Sequence, residues 1–166
     1  MNPAILEKSQ QLGKALARCQ WRVVTAESCT GGGVAAAITA VPDSSCWFEY
    51  GIVSYANRAK RKLLGVDELT LDRFGAVSEQ VVEQMVSGAL MLSESDIAVA
   101  ISGIAGPGGG SAEKPVGTVW FCWGTRDGQR RTRLYRFDGD RQIIQEAAVM
   151  AALEGLIEWL ENETTV

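Results

Sequence analysis

Residues 23–38 read VVTAESCTGGGVAAAI. Two valines lead into threonine, glutamate, serine and cysteine; three glycines follow, and a run of small apolar residues closes the segment. The apolar start suits a strand, the glycines a tight turn, and Val34 to Ile38 a helix that packs closely on its neighbours. Residues 21–27 are therefore expected as a strand that passes directly into a helix, opened by Gly31 to Gly33 and ending near residue 41. A strand followed at once by a helix is the opening half of a β-α-β unit, and such units build parallel sheets.

The rest of the chain continues that alternation. Upstream, residues 3–19 place Ile5, Leu12, Leu16 and Cys19 on one helical face. Downstream, Pro42 marks a stop in the turn VPDSS, and residues 48–56, FEYGIVSYA, read as a second strand. NRAKRKLLGV (57–66) is a short helix closed by Gly65. Ser78 suits the N-cap of a helix over residues 79–93, with Val82, Met85, Ala89 and Leu92 as its stripe. DIAVAIS (96–102) is a continuous apolar run, as expected of a strand covered on both faces. Residues 117–124 and 130–137 form strands joined through Asp127-Gly128, a hairpin signal. The last helix, residues 140–161, turns Ile143, Ala147, Met150, Leu153, Ile157 and Leu160 inward. The expected fold is α/β: a three-layer α/β/α sandwich on a mixed, partly parallel sheet of about five or six strands. One domain over residues 1–166 is expected.

Composition narrows the function classes. The chain has 166 residues, 46% hydrophobic and 22% charged, near the average of a globular domain. A net charge of −4 leaves no basic footprint for nucleic acid. The arginines between 126 and 141 fall on strand-like sequence, where a solvated face is expected. No apolar run reaches membrane-spanning length and the N-terminus lacks an apolar signal core, so a cytoplasmic protein without membrane attachment is expected. Cys19, Cys29, Cys46 and Cys122 include no C-x-x-C pair and fit no zinc framework; reduced thiols and no metal site are expected. There is no histidine, which excludes Ser-His-Asp and Cys-His catalysis within the chain. A hydrolytic site here must draw its base from a lysine, a carboxylate or a tyrosine. Asn162-Glu163-Thr164 matches a glycosylation sequon, but nothing else suggests secretion.

Three chemically rich turns follow the first three strands: ESCTGGG, SYANRAK and SGIAGPGGG. In a parallel arrangement all three lie at the carboxyl edge of the sheet, where open α/β folds bind ligands. In the first, Ser28 either caps the helix or attacks as a nucleophile, with the N–H groups of Cys29, Thr30 and Gly31 free to hold an anion or an oxyanion. Cys29 is a rival nucleophile if the helix N-terminus lowers its pKa, and otherwise a small buried hydrophobe. In the second turn, Lys60 is either a desolvated base for a serine or a solvated lysine beside Arg58, Arg61 and Lys62. Tyr55 on the same segment is a core or a catalytic residue. The third turn carries Gly103, Gly106, Gly108, Gly109 and Gly110, a backbone able to cradle phosphate that matches neither the P-loop nor the dinucleotide fingerprint. Ser111-Ala112-Glu113-Lys114 fits the S-x-x-K of penicillin-recognising enzymes, but it lies in a Gly/Pro loop instead of the helix start which that motif requires.

TAESCTGGG, YGIVSYANRAKRKLLGV, GAVSEQVV, SGIAGPGGGSAEKPVGTVW and FDGDR, in this order, resemble the CinA C-terminal domain family from about residue 5 to 160. The resemblance is to the stand-alone form; longer members carry an additional N-terminal domain. It implies an amidase that converts nicotinamide mononucleotide to nicotinic acid mononucleotide and ammonia, with no cofactor. By this resemblance Ser28 is the acyl-accepting nucleophile, Lys60 its base and Tyr55 their neighbour. Cys29, Thr30 and Gly31 of the first turn and Ser102, Gly103 and Gly106 of the third would join the substrate pocket. Arg141 would take the substrate phosphate, which a guanidinium matches bidentately. The implied partner is a pyridine mononucleotide, and a homo-oligomer is compatible with the resemblance. The alternative from another class is a non-catalytic module that binds a pyridine nucleotide and reports on it. Only the amidase predicts ammonia release that depends on Ser28.

Overall fold

A computed structural model of the chain describes residues 1–164. Helix α1 (Pro3–Cys19) leads to β1 (Val23–Glu27), α2 (Gly33–Thr39), a 3₁₀ turn at Ser44–Cys46 and β2 (Phe48–Val53). Then come α3 (Asn57–Leu64), α4 (Glu68–Phe74), α5 (Glu79–Leu92) and β3 (Ile97–Gly103). The hairpin β4 (Thr118–Thr125) and β5 (Arg130–Arg136) and the long helix α6 (Arg141–Thr164) follow. Ser78 caps α5 as its sequence predicts, accepting from the Val81 N–H, and Gly65 ends α3 in a left-handed conformation.

The strands form one sheet in the order β2-β1-β3-β4-β5. β1 runs parallel to β2 and β3, and the β3–β4 and β4–β5 pairs are antiparallel. The chain steps from β1 to β2 on one side, then from β2 to β3 on the other. Right-handed crossovers in opposite directions deliver their helices to opposite faces. Accordingly α2 packs with α1 and α6 on one face, while α3, α4 and α5 cover the other. The result is the three-layer α/β/α sandwich on a mixed sheet, with five strands.

Side-chain size in β3 sets the spacing of the layers. Ile97, Val99 and Ile101 join the core under α1 and α6, whereas Ala98 and Ala100 face α5. Together with Ala26 of β1, these alanines let α5 lie close to the sheet. The opposite layer closes over Phe121 and Trp123 of β4. Burying a phenylalanine such as Phe121 contributes roughly 1.5–3 kcal/mol. The Trp123 indole rests against Gly155 and donates its N–H to the Ala152 carbonyl at 3.0 Å.

Some local expectations change. Helix α4 escapes the sequence reading because Leu71 is its one fully buried residue, so no apolar stripe marks it. Leu92, expected inward on α5, is exposed; Val81, Val86 and Leu90 help fill that face. At the start of α6 the buried face is one residue out of phase with the expected one. Ile144 and Ala148 are buried, Ile143 is 53% exposed, and Ala147 and Met150 are half-buried. Contacts with α1, α2 and the sheet bury an arc of α6 too wide for a single stripe to define. The arginine-rich segment is more than a solvated face. Arg126 donates to the carbonyls of Leu90, Ser93 and Ser95 around the end of α5. Arg131 and Arg133 pair with Glu158 while lying over the rings of Trp159 and Trp123. The four cysteines are free thiols. Among the described residues no helix is long and apolar enough to cross a membrane.

Candidate active site

β1, β2 and β3 end at the same edge of the sheet, and the turns that follow them meet around a cleft of about 200 Å³. Ser28, Cys29, Tyr55, Lys60, Ser102, Gly103 and Arg141 line it. Larger grooves of about 560 Å³ between α1 and α6 and about 530 Å³ beside α3 are poorer candidates, because their polar lining residues are all exposed.

Lys60 projects inward from α3, whereas Arg58, Arg61 and Lys62 on the same helix face solvent. The lysine is 1% exposed. Its Nζ lies 2.9 Å from Ser28 Oγ, 2.7 Å from the Ser54 carbonyl and 3.2 Å from the Tyr55 carbonyl. No carboxylate pairs with it among the described residues. Burial pushes its amine down from the usual 10.5 to about 8. The two carbonyls accept N–H bonds in either protonation state. The third position faces Ser28: an ammonium donates there, and a neutral amine presents the lone pair that accepts the hydroxyl proton.

Ser28 is fixed by the main chain on both sides. Its N–H donates to the Ile101 carbonyl of β3 at 3.0 Å, and its carbonyl accepts from the Gly31 N–H at 3.0 Å. Gly31 and Gly32 take φ values of +59° and +96°, a left-handed path that turns the chain into α2 and that a side chain would strain. Ser28 does not cap α2; the N-cap is Gly32. The anion at that helix start is Glu27, fully buried, which the sequence reading passes over. It accepts from Thr30 Oγ1 at 2.7 Å, the Val34 N–H at 2.9 Å and the Ala35 N–H at 3.0 Å. A carboxylate just before a helix start is a legible signal for this role. Of the three N–H groups expected to be free, Gly31's is therefore taken. Those of Cys29 and Thr30 donate to no oxygen among the described residues.

The other expected site residues divide. The Cys29 thiol is buried, and desolvation pushes it up to about 12, so of its two alternatives the small buried hydrophobe holds. The Cys29 carbonyl is held by Gln145 of α6 at 2.9 Å. The Thr30 hydroxyl is occupied by Glu27 and Gly31 is exposed; neither is among the cleft-lining residues. Tyr55 stands on the rim, 58% exposed; its carbonyl touches Lys60, while its hydroxyl accepts from Arg141 Nη2 at 2.9 Å. Arg141 Nη1 donates to the Gly106 carbonyl at 2.7 Å, so this guanidinium ties the second turn to the third. Ser102 is buried and lines the cleft, and its hydroxyl bonds to none of the described residues. Asn57, Ala76 and Val77 also line the cleft, and sequence reasoning misses them. The signal that could have found them is their place in the SYANRAK and GAVSEQVV segments. The described residues contain no cluster of three or more His, Cys, Asp or Glu able to hold a metal.

Known proteins share both this sequence and this fold. The family model for the CinA C-terminal domain matches residues 6–160. Nicotinamide-nucleotide amidohydrolase PncC of Enterobacter agglomerans is 52% identical over 157 residues, covering 94% of this chain and 96% of that protein. The protein of the same name from Pseudomonas putida is 52% identical over 159 residues, covering 95% and 98%. The crystal structure of the competence/damage inducible protein CihA from Agrobacterium tumefaciens matches with a TM-score of 0.93 at 45% identity, over 97% of this chain and 98% of that one. With a family match over residues 6–160 and the same fold in a solved relative, the chain belongs to the CinA C-terminal domain family.

Proposed function

We propose that this protein is a nicotinamide-nucleotide amidohydrolase that hydrolyses the carboxamide of nicotinamide mononucleotide, with Ser28 as nucleophile and Lys60 as base. The observation that carries the reading is the 2.9 Å contact between Lys60 Nζ and Ser28 Oγ, made by a buried amine lowered to about 8. Relatives named for this activity, at 52% identity, support the choice of substrate.

Neutral Lys60 accepts the Ser28 proton while Oγ attacks the carboxamide carbon. The Ser54 and Tyr55 carbonyls keep the amine oriented before and after that transfer. The free N–H of Cys29, a cleft-lining residue, is the donor for the oxyanion. The Lys60 ammonium then gives its proton to the departing nitrogen, which leaves as ammonia with Ser28 acylated. Water enters, Lys60 takes its proton as the oxygen attacks the acyl carbon, and the ammonium then returns that proton to the departing Ser28 Oγ, which releases nicotinic acid mononucleotide and restores both residues. Arg141, at the cleft edge, serves the nucleotide phosphate, and Tyr55 holds that guanidinium from the opposite rim.

The test is ammonia release from nicotinamide mononucleotide by the wild type, Ser28→Ala and Cys29→Ala proteins. Release that persists in Cys29→Ala and vanishes in Ser28→Ala is the expected result. Nucleotide binding without ammonia would leave a binding module in its place.

A further inference from the structure

We infer that Glu27 is a positioning residue for hydrolysis: its buried carboxylate fixes the turn that brings Ser28 and Cys29 to the cleft. The inference rests on the reading of Ser28 and Lys60 given above.

Glu27 is the last residue of β1 and is fully buried. No lysine or arginine pairs with it among the described residues. A carboxylate in such a place is tolerated only when hydrogen bonds replace its lost water. Here they come from Thr30 Oγ1 and from the Val34 and Ala35 N–H groups, so the carboxylate binds both the far side of the Ser28 turn and the first turn of α2. The near side is held by the sheet. The Glu27 carbonyl accepts from the Ser54 N–H at 2.8 Å, and the Ser28 N–H reaches Ile101. Residues 28 and 29 are thus suspended between two fixed points, with the Cys29 carbonyl tethered to Gln145. Nucleophile and oxyanion donors need this kind of support, since tolerances in such sites are narrow.

Two further effects follow from the same side chain. By occupying the Val34 and Ala35 N–H groups, Glu27 takes the place where a helix N-terminus would otherwise draw an anion. The anionic end of a nucleotide is thereby turned away from α2 and toward Arg141, which leaves the carboxamide end for Ser28. Burial foremost, with the Glu27 charge adding to it, keeps the neighbouring Cys29 thiol protonated, so the serine reacts in preference to the cysteine.

The test compares the wild type with Glu27→Gln, which keeps the shape but loses the charge and one acceptor, and with Thr30→Val and Thr30→Ser. Four quantities are read: kcat and KM for nicotinamide mononucleotide, the rate at which a fluorophosphonate labels Ser28 by mass spectrometry, and the thermal unfolding temperature. Glu27→Gln should lose roughly a hundredfold and Thr30→Val about tenfold in both kcat and labelling rate, with KM within a few-fold of wild type. Thr30→Ser, which keeps the hydroxyl for Glu27, should recover most of what Thr30→Val loses. Folded Glu27→Gln or Thr30→Val protein that labels and turns over at the wild-type rate would reduce Glu27 to a helix cap and overturn the inference. If Glu27→Gln does not fold, the Thr30→Val and Thr30→Ser pair decides alone. A wild type that labels at Ser28 but releases no ammonia refutes the substrate reading, while the labelling ratios still decide the role of Glu27. A wild type that does not label at Ser28 overturns both.

Discussion

Lys60 spends two of its hydrogen-bonding positions on main-chain carbonyls and the third on Ser28, so its proton count governs what it can do to that serine. With the amine lowered to about 8, the neutral form grows as pH rises through that value. The kcat/KM for nicotinamide mononucleotide is therefore expected to climb with pH and level off above about 8, in initial rates of ammonia release. Lys60→Arg should be as inactive as Lys60→Ala, because a guanidinium stays protonated and cannot act as the base. An arginine variant within about tenfold of wild type, about 1.4 kcal/mol in the barrier, would refute the Ser–Lys mechanism. The cysteines offer a third prediction at this scale. Burial pushes Cys29 and Cys122 up to about 12, while Cys46 is exposed. Iodoacetamide at mildly alkaline pH should modify Cys46 and spare Cys29 and Cys122 in the folded protein, as read by peptide mass spectrometry. Rapid alkylation of Cys29 would show a thiolate beside Ser28 and make it a competing nucleophile.

The position of Lys60 depends on how α3 is seated. α3 ends at Leu64, and α5 crosses it at Gly88, where a Cβ would lie 1.9 Å from the Leu64 carbonyl oxygen. Both partners at that point are backbone, so neither can rotate aside. Gly88→Ala should therefore push α3 away from α5, destabilise the protein by about 3 kcal/mol and lower kcat in the fraction that folds. Denaturant melts and ammonia release on the same preparation measure both. A Gly88→Ala protein with wild-type stability and rate would show that α3 can shift without moving Lys60 from Ser28.

At the scale of the whole molecule, the cleft draws on segments far apart in the chain. Ser28, Tyr55 and Ser102 come from the ends of three neighbouring strands, and Arg141 arrives from the start of α6 to bond Tyr55 and Gly106. If that guanidinium serves the nucleotide phosphate, Arg141→Ala should raise KM for nicotinamide mononucleotide by about tenfold or more. The residual hydrolysis of nicotinamide riboside, which has no phosphate, should change much less. Equal losses on the two substrates would mean that Arg141 only braces the second and third turns.

The amino-acid sequence by itself determined the five strands and most helices, the parallel start and antiparallel end of the sheet, and the gathering of three turns at one edge. Those features rest on local signals: the apolar runs of the strands, the 3.6-residue spacing of apolar side chains in the helices, a serine cap at Ser78, a glycine stop at Gly65 and the Asp127-Gly128 hairpin. The lack of histidine also limits the chemistry, whatever shape the chain takes. Tertiary structure alone decided that Lys60 points inward while Arg58, Arg61 and Lys62 do not, that Glu27 and not Ser28 supports the start of α2, and that Ile144 replaces Ile143 on the inner face of α6. It also decided between the two readings of Cys29, in favour of a buried thiol pushed up to about 12. The physical reason is the same in each case. A local pattern records which conformation a segment prefers and roughly which side of it is apolar. Desolvation and hydrogen bonds between distant residues depend on what the rest of the chain packs against that segment, and only the assembled layers supply those neighbours.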